Sequence, residues 1–358
     1  MTSDVADDPT ATPDGDPAGI RVGPVTEWLG AHVGTVAPLR FHRLPGGHSN
    51  LTYRIEDAEG RLVVLRRPPE GPLLPTAHDM GREHRLISAL GPTDVPVPPA
   101  LAHCTDESVI GAPFYVMGHV DGVVLHTADL AERSFSEEAR GEIGRSFIDV
   151  LARLHAVDPD AVGLGDLSRK EDYIARQLKT WWRQYEASRT EEDPLLGQIH
   201  DWLQANIPPQ GPARVVHGDY RLGNTITGAD HRIAAVLDWE IATLGDPLAD
   251  LGYVLATWPR PGDEHVATTS ATSMAAGFPE RDELLERYAA ATGADVSGVD
   301  YYVAWANWKT ACIVQGVYRR YIDGQLSSEG VDVPAFRHTV LAAAELAAEA
   351  IRRLDATF

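Results

Sequence analysis

The stretch Val216–Gly252, VHGDYRLGNTITGADHRIAAVLDWEIATLGDPLADLG, decides the fold. A short apolar run, Arg214–Val216, leads through His217-Gly218 to Asp219. Asn224 follows five residues later, and a second apolar run, Ile233–Leu237, ends in Asp238-Trp239-Glu240. Both runs read as strands, so each aspartate stands at the end of a strand or in the loop just past it. Taken singly, Asp and Asn are mostly turn formers and helix caps. Their joint order and spacing are what carry information.

Phosphoryl transfer asks for these residue types. One carboxylate orients the attacking hydroxyl and takes its proton, and a second carboxylate with an amide oxygen holds Mg²⁺ against the phosphates. In the kinase pattern His-x-Asp-x-x-x-x-Asn, the Asp is catalytic, the Asn binds metal, and the Asp opening the next loop is the main metal ligand. Asp219, Asn224 and Asp238 stand in that order. The stretch closely resembles the aminoglycoside phosphotransferase family, which shares the protein-kinase fold. His-Gly-Asp replaces the His-Arg-Asp of protein kinases, and Asp-Trp replaces Asp-Phe-Gly. Pro45–Asn50 (PGGHSN), Leu65–Pro69 (LRRPP) and Gly111–Met117 (GAPFYVM) are similar to the branch that includes kinase domains preceding some acyl-CoA dehydrogenases. The resemblance runs from about residue 37 to about 350 and implies an α+β, bilobal, protein-kinase-like fold.

Working outward, the N-terminal half reads as strand-rich. A helix is expected at Gly23–Val33 and strands at Ala37–Leu44, Leu51–Glu56 and Arg61–Arg67. Ala58-Glu59-Gly60 makes a hairpin turn between the second and third strands. His78–Leu90 reads as a helix with Leu86, Ile87 and Leu90 inward. Pro92, Pro96, Pro98 and Pro99 then break regular structure, and Ser108–Ile110 and Phe114–Val120 read as two more strands. From about residue 122 the pattern turns helical: Ser136–Val157, Tyr173–Ala187, Leu195–Asn206 and Pro334–Leu354. The expected organisation is a disordered tail at 1–18, a small antiparallel nucleotide-binding lobe at 19–117, a hinge at 118–122, and a helical lobe at 123–358 carrying the catalytic and acceptor sites.

On the nucleotide side, Gly46-Gly47-His48-Ser49-Asn50 sits between two strands. Glycines let a backbone approach phosphates, and Ser49 and Asn50 add donors. Kinases use a lysine on the third strand, paired to a helix glutamate. The chain has 28 Arg but only three Lys, none before Lys170, so Arg66 or Arg67 must substitute. Alternation puts Leu62, Val64 and Arg66 on one face, and a valine two residues before the cation suits an adenine wall. Arg66 is therefore chosen, with Glu83 as its partner; a surface ion pair is the competing reading of Glu83. The resemblance implies that the connector Met117–Val120, including Met117 and His119, grips the adenine. Ordinary core packing stays open for Met117.

Composition narrows the partners. The formal charge is 31 − 52 = −21, which disfavours nucleic acid and anionic membranes. No apolar run approaches the roughly 20 residues of a membrane span, and the N-terminus lacks the charge and apolar pattern of a signal peptide. Cys104 and Cys312 have no metal or disulfide spacing, so a cytoplasmic protein is expected. Its oligomeric state is not legible. Asp246 and Asp250 read as a helix cap and loop anchors, and His155 and His217 as packing or hydrogen-bonded residues. Trp181, Trp182, Trp305 and Trp308 read as core ahead of an acceptor pocket, and Phe358 as a frayed end.

The function expected is an ATP- and Mg²⁺-dependent phosphotransferase acting on a small-molecule hydroxyl. The acceptor class, aminoglycoside-like or hydroxyacyl-CoA-like, stays open because family and fold do not set substrate. Arg169, Lys170, Arg176 and Lys179 would supply a basic patch for a CoA ester. A nucleotide-binding module without turnover is the alternative that Arg66 admits.

Overall fold

The computed structural model describes residues 16–44, 50–70, 78–267, 271–326, 328 and 330–358. The chain divides into two compact units: Met1–Asp121 with Leu237–Glu240, and Gly122–Val236 with Ile241–Phe358.

The first unit contains α1 (Val22–His32), β1 (Arg40–Arg43), β2 (Leu51–Glu56), β3 (Leu62–Arg67), α2 (Met80–Leu90), β4 (Ala100–Cys104) and β5 (Phe114–Gly118). The five strands make one antiparallel sheet in the order β1-β2-β3-β5-β4. The β2–β3 hairpin turns over Asp57, whose carboxylate accepts the amides of Glu59 and Arg61 at 2.9 Å each. Strand alternation splits the sheet into two faces. Tyr53, Ile55, Val63, Leu65 and Val116 pack with Val25 and Leu29 of α1 in the core of this unit. Val64 pairs with Met117 and Arg66 with Tyr115 on the opposite face. Helix α2 serves that second face: Asp79 caps it by accepting from the amide of Arg82, and Leu86, Ile87 and Leu90 are buried, each contributing about 2 kcal/mol by area removed from water.

One expectation fails here. Ser108–Ile110 is not a strand but a turn. Asp106 accepts the Ser108 amide at 2.9 Å, Gly111 donates to Glu107 at 2.7 Å, and Gly111 takes φ +83°. A side-chain-stabilised turn wins over a short apolar run. The strand lies earlier, at Ala100–Cys104, directly after the prolines. Proline is compatible with the start of an edge strand, and β4 is the sheet edge. Of the tail expected at 1–18, residues 1–15 lie outside the described residues. Ala18 accepts a hydrogen bond from the Tyr53 hydroxyl at 2.6 Å, so residue 18 is tied to the sheet.

The second unit contains α3 (Ala128–Ser134), α4 (Glu137–Ala156), α5 (Tyr173–Ser188), α6 (Pro194–Ala205), β6 (Arg214–Val216), β7 (Thr225–Thr227), β8 (Ile233–Val236), β9 (Thr243–Gly245), α7 (Leu248–Ala256), α8 (Arg281–Thr292), α9 (Val299–Ile322) and α10 (Val333–Leu354). Ser136 caps α4, and its stripe Ile143, Phe147, Val150, Leu151 and Leu154 is buried, as a 3.6-residue period requires. Helix α9 is the centre of the unit and packs against α5, α6, α7 and α10. Ala343, Ala344, Ala347 and Ala348 are buried on α10, small side chains that let two helices approach closely. Gly252 serves the α7–α9 contact: a Cβ there would lie 2.5 Å from the Tyr302 backbone. Two short antiparallel ribbons, β6–β9 and β7–β8, frame the segment from His217 to Asn224. Among the described residues no helix is long and apolar enough to cross a membrane.

Candidate functional site

Strand β6 delivers the chain to His217-Gly218-Asp219. Gly218 has φ +85°, a conformation that favours glycine, and an added Cβ would press on the Ile241 side chain at 3.1 Å. The turn is pinned from below by Asp250, in the first turn of α7. Its carboxylate accepts the amides of His217 at 2.6 Å and Gly218 at 2.8 Å. His155 lies 3.4 Å away through Nε2 and holds the Tyr288 hydroxyl at 2.7 Å through Nδ1. Burial opposes the charge of Asp250, but the hydrogen bond and charge of His155, the nearby His217 and the Gly218 amide outweigh it, and the carboxyl sits below its ordinary range. Asp246 accepts the Leu248 amide and the Tyr302 hydroxyl. Both aspartates thus anchor backbone and helix ends.

The Asp219 carboxylate is held by three side chains. Asn224 donates through Nδ2 to Oδ2 at 2.7 Å and to the Asp219 carbonyl at 2.9 Å. Arg221 Nε lies 3.3 Å from Oδ2. The Tyr253 hydroxyl donates to Oδ1. Burial and the Asp219 charge hold the Tyr253 phenol well above its ordinary value, so it remains a donor. The sequence reading named neither Arg221 nor Tyr253. Signals existed: Arg221 is two residues past Asp219, and Tyr253 is three residues past Asp250 on one helix, hence on the same face.

The first unit assembles a second polar cluster. Arg66 Nε lies 3.2 Å from Glu83 Oε2, an ionic contact without straight hydrogen-bond geometry, and its NH2 lies 2.5 Å from Asp238 Oδ1. Glu240 is 3.7 Å from the same nitrogen. Asn50 donates to Glu83 at 3.3 Å and Glu240 at 3.1 Å, and its oxygen pairs with His78 at 2.9 Å. Tyr115 donates to Glu83 at 3.1 Å. Glu83 is 1% exposed, which rules out the surface-pair reading. Burial pushes its carboxyl up to about 7, with Arg66 opposing. Burial likewise opposes the charge on Arg66, but Glu83, Tyr115 and Asp238 hold the guanidinium above its ordinary value. Arg67 goes elsewhere, donating to the carbonyls of Pro68 and Ile110. Asp238 takes φ +64°, a left-handed conformation that Asp tolerates better than most residues.

Met117 is buried on β5 opposite Val64, so an apolar patch adjoins Arg66 on one face of the sheet. His119 lies past the end of β5 with Nδ1 3.4 Å from Asp121. Gly46, Gly47 and Ser49 lie outside the described residues. Among the described residues no group of three or more His, Cys, Asp or Glu side chains could hold a metal. Asp238 offers a carboxylate in the first unit and Asn224 an amide oxygen in the second, both ligand types that Mg²⁺ accepts. Asn224 commits its amide nitrogen to Asp219.

The profile of the phosphotransferase enzyme family matches residues 40–302. The chain is 36% identical over 306 residues to acyl-CoA dehydrogenase family member 10 of Mus musculus, covering 84% of this chain and 28% of that protein. It is 36% identical over 298 residues to acyl-CoA dehydrogenase family member 11 of Gallus gallus, covering 81% of this chain and 38% of that protein. The chain thus spans well under half the length of these curated relatives. Among solved structures, a candidate aminoglycoside phosphotransferase from Ralstonia eutropha superposes with TM-score 0.77 at 33% identity, covering 91% of this chain and 98% of that one. The aminoglycoside phosphotransferase APH(4)-Ia, in a ternary complex with AMP-PNP and hygromycin B, matches with TM-score 0.60 at 18% identity over 92% of this chain and 98% of that one.

Proposed function

We propose that this chain, which belongs to the phosphotransferase enzyme family, moves the γ-phosphate of ATP to a hydroxyl of a small molecule. One observation carries the reading: the Asp219 carboxylate is fixed by Asn224, Tyr253 and Arg221 on a turn that Asp250 pins. A carboxylate so oriented can align an acceptor hydroxyl and take its proton. Arg66 is the phosphate-binding cation, kept in place by Glu83, and a guanidinium can bind phosphate oxygens bidentately. Val64 and Met117 offer the apolar face for the base, with Asn50 and the connector at His119 completing nucleotide contacts. Gly46, Gly47 and Ser49 are assigned to the phosphates from their place in the chain. Asn224 and Asp238 are the residues that would hold Mg²⁺, which when bound neutralises phosphate charge.

The acceptor we favour is hydroxyacyl-CoA-like, on the 36% identity to proteins named for acyl-CoA chemistry. An aminoglycoside-like acceptor is the competing class. Both cysteines are buried and unpaired, which accords with a reducing, cytoplasmic setting. The test is ADP release from Mg·ATP against a panel of hydroxyacyl-CoA esters and aminoglycosides, with Asp219→Asn in parallel. Acceptor-dependent release that Asp219→Asn lowers by about 10²-fold or more supports catalysis. Tight Mg·ATP binding without any acceptor-dependent release would favour a nucleotide-binding module instead.

A further inference from the structure

Lys309, on α9, is 5% exposed and has no carboxylate within ion-pair distance among the described residues. Its ammonium makes one hydrogen bond, to the Gly218 carbonyl at 3.2 Å. Around it stand the rings of Trp305, Trp181 and Tyr253, with centroids 5.3, 5.7 and 5.9 Å away. An ammonium carries three donors and no acceptor, and burying one with a single neutral partner is costly. The rings offset part of that cost through cation–π attraction. Burial lowers the tendency of Lys309 to hold its proton, and the charges of Asp250 and Asp219 counter this. A second donor is stranded one turn earlier on the same helix. Trp305 is 1% exposed and its indole Nε1 has no hydrogen-bond partner. Tyr253 ties this place to the chemistry, because the hydroxyl of the same ring holds the Asp219 carboxylate.

Two donor-only groups with unused capacity, one of them the ammonium that feels the Asp219 charge, call for an oxygen acceptor. We propose that Lys309, with the Trp305 indole N–H, is the specificity determinant of the acceptor site and binds a carbonyl or carboxylate oxygen of the acceptor. This rests on the phosphotransferase reading and sharpens it. The acceptor is then a hydroxy acid or its thioester, and a polyamine is disfavoured because its ammonium groups would meet a buried cation of like charge. Trp181 and Trp305 form the wall beside that oxygen. Nothing in their spacing along the helices distinguished them from core aromatics, and the difference lies in the cation placed against them.

The experiment compares acceptors that differ only in that oxygen. Hydroxyacyl-CoA thioesters with the hydroxyl at carbon 3 or 4, the free hydroxy acids, and diols of the same chain length are offered with Mg·ATP to the full chain and to Lys309→Met and Trp305→Phe. Acceptor binding is followed in parallel by tryptophan fluorescence. The expected result is that wild type prefers the carbonyl-bearing acceptors and that Lys309→Met reduces this preference by about 10- to 100-fold, the worth of a charge-assisted hydrogen bond. Trp305→Phe, which removes the N–H together with the five-membered ring, should reduce it less. The acid and thioester arms identify which oxygen is read. An equal fall in kcat on every acceptor, with the preference kept, would mean that Lys309 only props the Gly218 turn and would overturn the proposal. If no acceptor is phosphorylated but thioester binding still depends on Lys309, the phosphotransferase reading fails and the oxygen site stands. If nothing in the panel binds, both fall.

Discussion

Asp219 and Asp238 have similar sequence surroundings, each reached from a short apolar strand, yet they live in opposite electrostatic settings. Asp219 is fixed by neutral donors and one half-exposed guanidinium, on a backbone turn held by the buried Asp250. Asp238 belongs to a group with Glu83 and Glu240, where the guanidinium of Arg66 faces all three carboxylates. One carboxylate is oriented by geometry and the other is balanced by a single charge. Under the proposed function the difference has a reason: a base needs a defined direction whatever its partner, whereas a cluster that takes up phosphate and cation needs charge to exchange with what it binds.

That contrast can be broken first at its strongest point. Asp219→Asn keeps the shape and removes the proposed base, so acceptor phosphorylation should fall by about 10²- to 10⁴-fold while Mg·ATP affinity, read by calorimetry, stays within a few-fold. Comparable activity in the variant would remove Asp219 from the chemistry. Arg66→Met tests the other half. It leaves three acidic side chains around a vacated cation, and the chain should lose about 3–5 kcal/mol in denaturant unfolding. A loss below about 1 kcal/mol would mean that the cluster is neutralised in another way.

A pH profile sharpens the comparison further. Burial raises Glu83 to about 7 from an unfolded value near 4.5. Between those values the native chain holds a proton that the unfolded chain has released. The stability contributed by this group is therefore fully present below about 4.5 and is lost as pH rises through about 7. Without added divalent cation, the unfolding free energy should decline across that window by on the order of 3 kcal/mol, and Glu83→Gln should flatten it. A profile identical in the two proteins would show that Glu83 is ionised throughout. The smallest effect is expected from Tyr253→Phe. Losing one hydrogen bond to a carboxylate costs about 1.5–3 kcal/mol at most when buried, and here Asn224 and Arg221 still hold Asp219. Turnover should drop about 10-fold with KM for ATP unchanged.

How far the sequence carries can be judged from particular elements. The β2 and β6 limits and the α4 stripe were all readable, because each rests on local pattern within a few residues. Arg66 was separable from Arg67 because strand alternation sends neighbours to opposite faces. The turn at Ser108–Ile110 was misread as a strand, since a short apolar run carries no period and the Asp106 side chain decides its conformation. The β4 strand was hidden by the prolines before it. Arg221 and Tyr253 escaped notice because their importance is a matter of where they end up.

The local order was thus written in the chain: an aspartate, an asparagine and a second aspartate near strand ends, with an arginine two residues past a valine on a third strand. Such features depend on neighbours in sequence and on fixed backbone periods. Only tertiary structure set Asp250 beneath the Gly218 turn, buried Glu83 against Arg66, and put the ammonium of Lys309 among three aromatic rings beside Asp219. Those contacts join residues far apart in the chain, and their strength comes from burial, where the low dielectric makes an unpaired donor or charge costly. Burial is a property of the packed whole, which no short stretch of sequence states.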